Sequence, residues 1–323
     1  MDRRLVESLG IEVPLIGGAM YPCSNPELVA AVSEAGGIGV VQPISLIYAH
    51  GHRDLRLGLR AIRARTTKPI GFNAIVEQSS RVYLDRMRGW VDVALEEGVR
   101  FFVTALGKPG WVVEKVHAAG GLVYHDVTER KYAVRALEDG VDGLICVNAR
   151  AGGHAGALPP EALFAQLGDL GVPLVCAGGV GDAETFGAML KLGYAGCQLG
   201  TRLIATDECT AHPDYKRAIV GAQASDIVLT ERISGVPVAV IATPQVKASG
   251  THASAPMRWM LRHPRLKHWA RSWYSLRSVW QLARANERGS SYRDYFQAGR
   301  SVDGVERVEP VADVVRRFAA AVG

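Results

Sequence analysis

Gly143-Leu144-Ile145-Cys146-Val147, running into Asn148-Ala149-Arg150-Ala151-Gly152-Gly153-His154-Ala155-Gly156, is the stretch on which the reading of this sequence turns. The first five residues form an unbroken apolar run of strand length, as a buried strand requires. The next nine are rich in glycine and alanine, so the backbone can turn sharply and come close to a flat ligand. His154 is the only titratable side chain between Ala151 and Gly156, and an imidazole gives or accepts a proton near neutral pH. A strand end, bare backbone and one base suggest chemistry beside a cofactor. A glycine-rich turn whose histidine only bonds to the backbone is the alternative that these residues alone leave open.

The same pattern repeats outward from this stretch. Downstream, Pro173-Leu174-Val175-Cys176-Ala177 ends in Gly178-Gly179-Val180-Gly181-Asp182, and Gly196-Cys197-Gln198-Leu199 ends in Gly200-Thr201. Upstream lie Val13-Pro14-Leu15-Ile16, Gly39-Val40-Val41-Gln42, Pro69-Ile70-Gly71-Phe72-Asn73, Phe101-Phe102-Val103-Thr104 and Leu122-Val123-Tyr124-His125. Helix-like sequence separates these runs, beginning with a helix that takes Asn25 as N-cap and Pro26 at its first position and stops at Gly36-Gly37. Eight strands, each followed by a helix, predict an α/β protein built as a (β/α)8 TIM barrel. An open doubly wound sheet would show fewer strands and an early Gly-x-Gly-x-x-Gly, which the chain lacks.

A chain of 323 residues, 48% hydrophobic and 21% charged, can bury a sizeable core and suits one large domain with an addition. The eighth strand is complete by Thr201, so the remainder exceeds what a barrel needs. The barrel is expected over residues 1–206 and about 301–323, closed by a helix over 311–322. Residues from about 207 to 300 are expected to form a smaller, mostly helical lid or substrate domain. There Leu266, Trp269, Trp273, Leu276 and Trp280 recur at helical spacing, which is more often core than cofactor box. Ten Lys or Arg against two acids fall between Arg258 and Arg300, although the whole chain carries only +5. A solvated helix face is the default reading of that segment, with anion binding as the alternative.

The five cysteines are widely spaced, without Cys-x-x-Cys, and three of them (Cys146, Cys176, Cys197) lie in apolar runs. That favours a reducing compartment and argues against a disulfide framework or a cysteine zinc site. His117, His212, His263 and His268 show no metal-ligand spacing, so no metal is expected. No run is long enough to span a bilayer and the N-terminus carries no apolar targeting segment; the expected location is the cytoplasm, with neither membrane nor nucleic acid as partner. An oligomeric state is not fixed by these residues, and a homo-oligomer is compatible with them.

Active sites of such barrels form at the C-terminal ends of the strands, and a phosphate commonly sits at the loops after strands seven and eight. Here those loops are Ala177-Gly178-Gly179 and Gln198-Leu199-Gly200-Thr201, where bare N–H groups can ring a phosphate. Together with bare backbone at Gly17-Gly18 and Gly152-Gly153, they leave room for the flat ring of FMN, with Asn73 able to hydrogen-bond its edge. His125, at the end of the fifth strand, is a candidate cofactor contact. Tyr292, Tyr295 and Phe296 are candidates for the substrate wall.

Taken together, Pro14-Leu15-Ile16-Gly17-Gly18-Ala19-Met20, Phe72-Asn73, Ala151-Gly152-Gly153-His154-Ala155-Gly156, Ala177-Gly178-Gly179 and Gln198-Leu199-Gly200-Thr201 resemble the nitronate monooxygenase (2-nitropropane dioxygenase-like) family. The likeness spans most of the barrel, and Ala-Gly-Gly-His-x-Gly is its most specific part. It implies a barrel binding FMN non-covalently through Gly18, Met20, Asn73, Gly152, Gly178, Gly179, Gln198, Gly200 and Thr201, to which Ala19, His125 and Gly153 are added as candidate contacts. It also implies His154 as the base that removes the proton beside a nitro group. Gln297-Ala298-Gly299-Arg300 resembles a further family element. The chain departs from the pattern at Gly17 and Val147, where glutamine is usual, and at His125-Asp126, where other members carry lysine after the histidine.

The resulting expectation is an FMN-dependent oxidoreductase that oxidises small nitronates or nitroalkanes with O2 to a carbonyl compound and nitrite. The alternative is a reductase or dehydrogenase of the same barrel acting on an acyl-CoA or enoyl thioester, or on a quinone. The basic segment favours that alternative, because guanidinium groups suit a nucleotide pyrophosphate.

Overall fold

The computed structural model describes residues 2–52, 54–77, 81–232, 236–252 and 296–322. Eight parallel strands close into a barrel in chain order: β1 (Leu15–Gly17), β2 (Ile38–Val41), β3 (Ile70–Ile75), β4 (Phe101–Ala105), β5 (Leu122–Val127), β6 (Gly143–Val147), β7 (Leu174–Ala177) and β8 (Gly196–Leu199), with β8 pairing back onto β1. Every run read as a strand is one. The third and fifth reach two residues further than expected, to Ile75 and Val127.

Alternation along each strand sorts the side chains into two cores. Ile16, Ile38, Val40, Phe101, Val103, Tyr124, Ile145 and Val175 fill the barrel, and Phe101 meets Tyr124 edge-on at 5.3 Å. Their neighbours Leu15, Val41, Phe72, Phe102, Val123, Leu144, Cys146, Cys176 and Cys197 face the surrounding helices. All five cysteines are free and buried. Leu5 and Leu9 of the helix Arg4–Leu9 pack into the inner core, so the N-terminal end of the barrel is stoppered and the C-terminal end carries the loops.

Helix ends follow the local chemistry. Pro26 opens the helix Pro26–Glu34, as proline at a first position allows. Asn25 stands at the N-cap position but does not cap with its side chain. Its amide instead donates to the Glu208 carbonyl (2.8 Å) and its Oδ1 accepts from the Thr210 N–H (3.2 Å), tying the first loop to the chain after β8. Asp182 caps the helix Ala183–Leu192 by accepting from the Thr185 N–H at 2.8 Å.

The expected closing helix is Val311–Ala320. It buries Val311, Val314, Val315 and Phe318 at helical spacing, and Phe318 lies 5.1 Å from Phe186. Before it, Glu309 receives the buried Arg202 at 2.7 Å and Arg317 at 2.8 Å. That cluster ties the closing helix to the chain after β8.

The expected lid region is described in part. It holds the helices Pro213–Val220 and Pro244–Ser249 and an antiparallel pair of β9 (Ile227–Thr230) and β10 (Val238–Ile241). The tryptophan stripe, Tyr292, Tyr295 and the basic segment short of Arg300 lie outside the described residues. Among the described residues, no helix is long and apolar enough to cross a membrane.

Candidate functional site

Register places a ring of inward-facing residues at the loop end of the barrel. Gln198 pairs with Ile16 and Ala177, Asn73 with Val103, Ile75 with Ala105, and Asp126 with Ile145. In-register partners share a face, so Asn73, Asp126 and Gln198 all look inward where the apolar filling stops. The neighbouring inward positions, Ala105 and Ala177, are small. The Gly18 N–H is held by the Leu199 carbonyl (2.8 Å), and a Cβ on Gly18 would stand 3.0 Å from Gln198 Cγ.

The His154 loop is built around Asn148, a fully buried residue at the end of β6. Its Nδ2 donates to the Gly178 carbonyl (2.9 Å), its Oδ1 accepts from the Arg150 N–H (2.8 Å), and its own carbonyl accepts from the Ala151 and Gly156 N–H groups (both 3.2 Å). One amide thus stitches the histidine loop to the turn after β7. On its far side the loop is clamped by two distant segments. The Gly153 carbonyl accepts from the Ala239 N–H of β10 (2.8 Å), and the Arg150 carbonyl accepts from the Arg300 N–H (2.9 Å). His154 itself is exposed, and desolvation by its surroundings holds its imidazole below the ordinary value of 6.5. The free base is therefore its main form at neutral pH.

The glycines of the two expected phosphate turns have distinct reasons. Gly178 (φ 118°) and Gly179 (φ 83°) hold a backbone that favours glycine. A Cβ on Gly178 would fall 2.4 Å from the Ala151 nitrogen, and one on Gly179 would strike the stem of Arg150. Gly200 is open by comparison, since its nearest neighbour is Met20 Sδ at 3.5 Å. Because β7 and β8 are paired, the two turns lie side by side. The hydroxyl of Thr201 accepts from the Gly299 N–H (3.0 Å), so the 296–300 strap seats on the same turn. Gly152 packs against that strap, where a Cβ would stand 2.9 Å from the Gly299 nitrogen.

Ala19 packs on the inner core. Met20 follows it, its N–H donating to Ser24 Oγ (2.8 Å) and its carbonyl accepting from the Ser45 hydroxyl (2.9 Å). Gly18, Ala19, Met20, Asn73, Gly152, Gly153, Gly178, Gly179, Gln198, Gly200 and Thr201 thus gather at one end of the barrel with the His154 loop. Bare turns, small inward side chains and edge-on amides can hold a flat cofactor that ends in a phosphate.

His125 does not join them. It pairs with Leu144 and Thr104 on the outer face of β5, is 5% exposed, and bonds through Nδ1 to Thr104 Oγ1 at 2.8 Å. Burial lowers its pKa to about 4. The structure makes it a neutral packing residue behind the strand rather than a cofactor contact. Asp126, one residue on, is the inward group. Its Oδ1 is buried without a hydrogen-bond partner among the described residues, and burial pushes its pKa up to about 7. Sequence reading noted it only as a departure from the family pattern and gave the candidate contact to His125, although the alternation Leu122, Tyr124, Asp126 carried the signal. Phe296 is likewise no open wall: it stacks on Tyr215 at 4.8 Å and is 7% exposed.

Comparison with known proteins agrees with this arrangement. The model of the nitronate monooxygenase family matches residues 2–320. A (3aS,4S,5R,7aS)-5-hydroxy-7a-methyl-1-oxo-octahydro-1H-indene-4-carboxyl-CoA dehydrogenase of Mycobacterium tuberculosis is 30% identical over 256 residues, covering 77% of this chain and 69% of the relative. A nitronate monooxygenase of Pseudomonas aeruginosa is 28% identical over 278 residues, covering 73% and 78%. Among solved structures, FabK from Thermotoga maritima superposes with a TM-score of 0.80 at 27% identity, covering 100% of this chain and 96% of that one. A nitroalkane oxidase from Streptomyces ansochromogenes, at 24% identity and a TM-score of 0.77, shares the fold. Barrel, rim and family match together assign the chain to the nitronate monooxygenase family of oxidoreductases.

Proposed function

We propose that this chain binds FMN at the loop end of the barrel and oxidises small nitronates or nitroalkanes with O2, releasing a carbonyl compound and nitrite. The observation that carries the reading is the joining of the His154 loop to the Gly178 turn through Asn148, which brings the loop that carries the candidate base against the expected phosphate turn. The residues fit the cofactor. The Gly178-Gly179 and Gly200-Thr201 turns would hold its phosphate, the small Gly18, Ala105 and Ala177 would face its ring, and Asn73 and Gln198 would meet its edge. When bound, FMN supplies the electron transfer. His154 accepts the proton from the carbon beside the nitro group, a task that suits a base near neutral pH. An anionic nitronate arrives without that proton and bypasses the step.

The segment around residues 207–300 acts in this reading as the substrate domain, with β10 and the 296–300 strap braced on the histidine loop. The buried free cysteines support a reducing, cytoplasmic setting. A second reading, an acyl-CoA dehydrogenase or reductase, is favoured by the name of the 30%-identical mycobacterial relative and by the cationic run from Arg258 to Arg300. The test is oxygen uptake and nitrite release by the yellow protein with a propyl nitronate, set against turnover of acyl-CoA compounds and NADH. Nitrite formation matched to oxygen uptake is the expected result. Turnover of acyl-CoA without nitrite formation would replace the first reading with the second.

A further inference from the structure

Asp126 has no part in the chemistry above, yet it is the only carboxyl on the eight barrel strands, and it faces inward at their loop end. Its strand neighbours are apolar or neutral: Val103, Thr104 and Ala105 of β4 and Ile145, Cys146 and Val147 of β6. The titratable groups on these elements are the Tyr124 phenol, the His125 imidazole and the Cys146 thiol. Tyr124 faces inward two residues before Asp126 and burial pushes it up to about 12, so it is uncharged; the other two face the outer layer, and burial keeps both uncharged at neutral pH. Among the described residues no cation pairs with Asp126, and Oδ1 is buried without a partner. A buried polar group in that condition calls for a partner from elsewhere. An apolar site that keeps a carboxyl protonated makes it a hydrogen-bond donor, and burial here raises the Asp126 pKa to about 7.

We propose that Asp126, as a neutral carboxylic acid, donates a hydrogen bond to the edge of the FMN ring, so that its ionisation opposes cofactor binding. This rests on the FMN reading above. The edge of an isoalloxazine presents several carbonyl and ring-nitrogen acceptors but a single N–H donor. An O–H at Asp126 therefore finds partners, whereas a carboxylate there meets lone pairs in a poorly solvated place. Linkage gives the sign: a donor that must carry its proton in the complex makes binding weaken as pH rises through its pKa.

The test is the dissociation constant of FMN, read by quenching of flavin fluorescence, for flavin-stripped full-length wild type and Asp126→Asn between pH 6 and 9. The phosphate contributes equally to both, so the ratio of the two constants isolates the carboxyl. The ratio is expected to rise towards about tenfold per pH unit above the carboxyl's pKa, with Asp126→Asn binding more tightly at pH 9. A ratio that does not change with pH overturns the proposal. So does a ratio that falls as pH rises, which would make the carboxylate an acceptor. Wild-type binding that stays constant between about pH 7.5 and 9, where the phosphate is already fully ionised, overturns it without recourse to the variant. If neither protein binds FMN at any pH, the cofactor reading fails and this proposal falls with it.

Discussion

His154 and Asp126 obey one rule with opposite signs, since removal from water favours whichever form is uncharged. The imidazole becomes a ready acceptor and the carboxyl a ready donor. For His154 the consequence is an acidic limb in the pH profile. With a neutral nitroalkane, kcat/KM is expected to rise as pH passes a value below 6.5 and then level off, because only the free imidazole takes the proton. His154→Ala should lower that kcat/KM by about 10²–10⁴-fold while oxidation of a preformed nitronate continues. Steady-state rates with both substrate forms check this; equal losses on both would make the histidine a binding residue instead. His154 stood out from its loop as a candidate, but the loop alone left a backbone-bonded structural histidine equally open. The exchange of His125 for Asp126 as the inward residue was not drawn from the residue types, because a histidine at a strand end draws the eye and only alternation decides its face.

Among the elements, the two expected phosphate turns look alike in sequence and differ in structure. Gly178 sits in left-handed backbone with the Ala151 nitrogen in the place of its missing Cβ, whereas Gly200 has only the flexible Met20 at contact distance. Gly178→Ala is therefore expected to distort both the turn and the histidine loop, cutting FMN affinity at least tenfold and costing about 1–3 kcal/mol through left-handed strain and displaced backbone. Gly200→Ala should keep its stability within about 0.5 kcal/mol, as an unhindered substitution does. Thermal melting and flavin titration of the pair give the comparison, and similar losses in both would count against it. The turns themselves were readable because glycine marks them. The clamps on the histidine loop were not. Gly153 meets Ala239, and Arg150 meets Arg300, across separations that leave no periodic trace in the sequence.

The barrel as a whole was legible because each strand is a compact apolar run ending in glycine or a polar residue, repeated eight times in chain order. Less visible was how the last helix is fastened. Arg202 is 1% exposed and relies on Glu309, which also holds Arg317. Glu309→Gln should cost about 3–5 kcal/mol, because it leaves a buried guanidinium without its counter-charge. Urea unfolding would show it as a lower midpoint, and an unchanged midpoint would mean that the cluster carries little of the closure. The central claim joins barrel, flavin and base in one reaction, and anaerobic mixing followed by absorbance tests it most directly. The FMN-loaded wild type should be bleached by both a neutral nitroalkane and its nitronate, and the His154→Ala protein by the nitronate alone. Flavin that stays oxidised with either nitro compound, yet is bleached by an acyl-CoA or by NADH, would contradict the account.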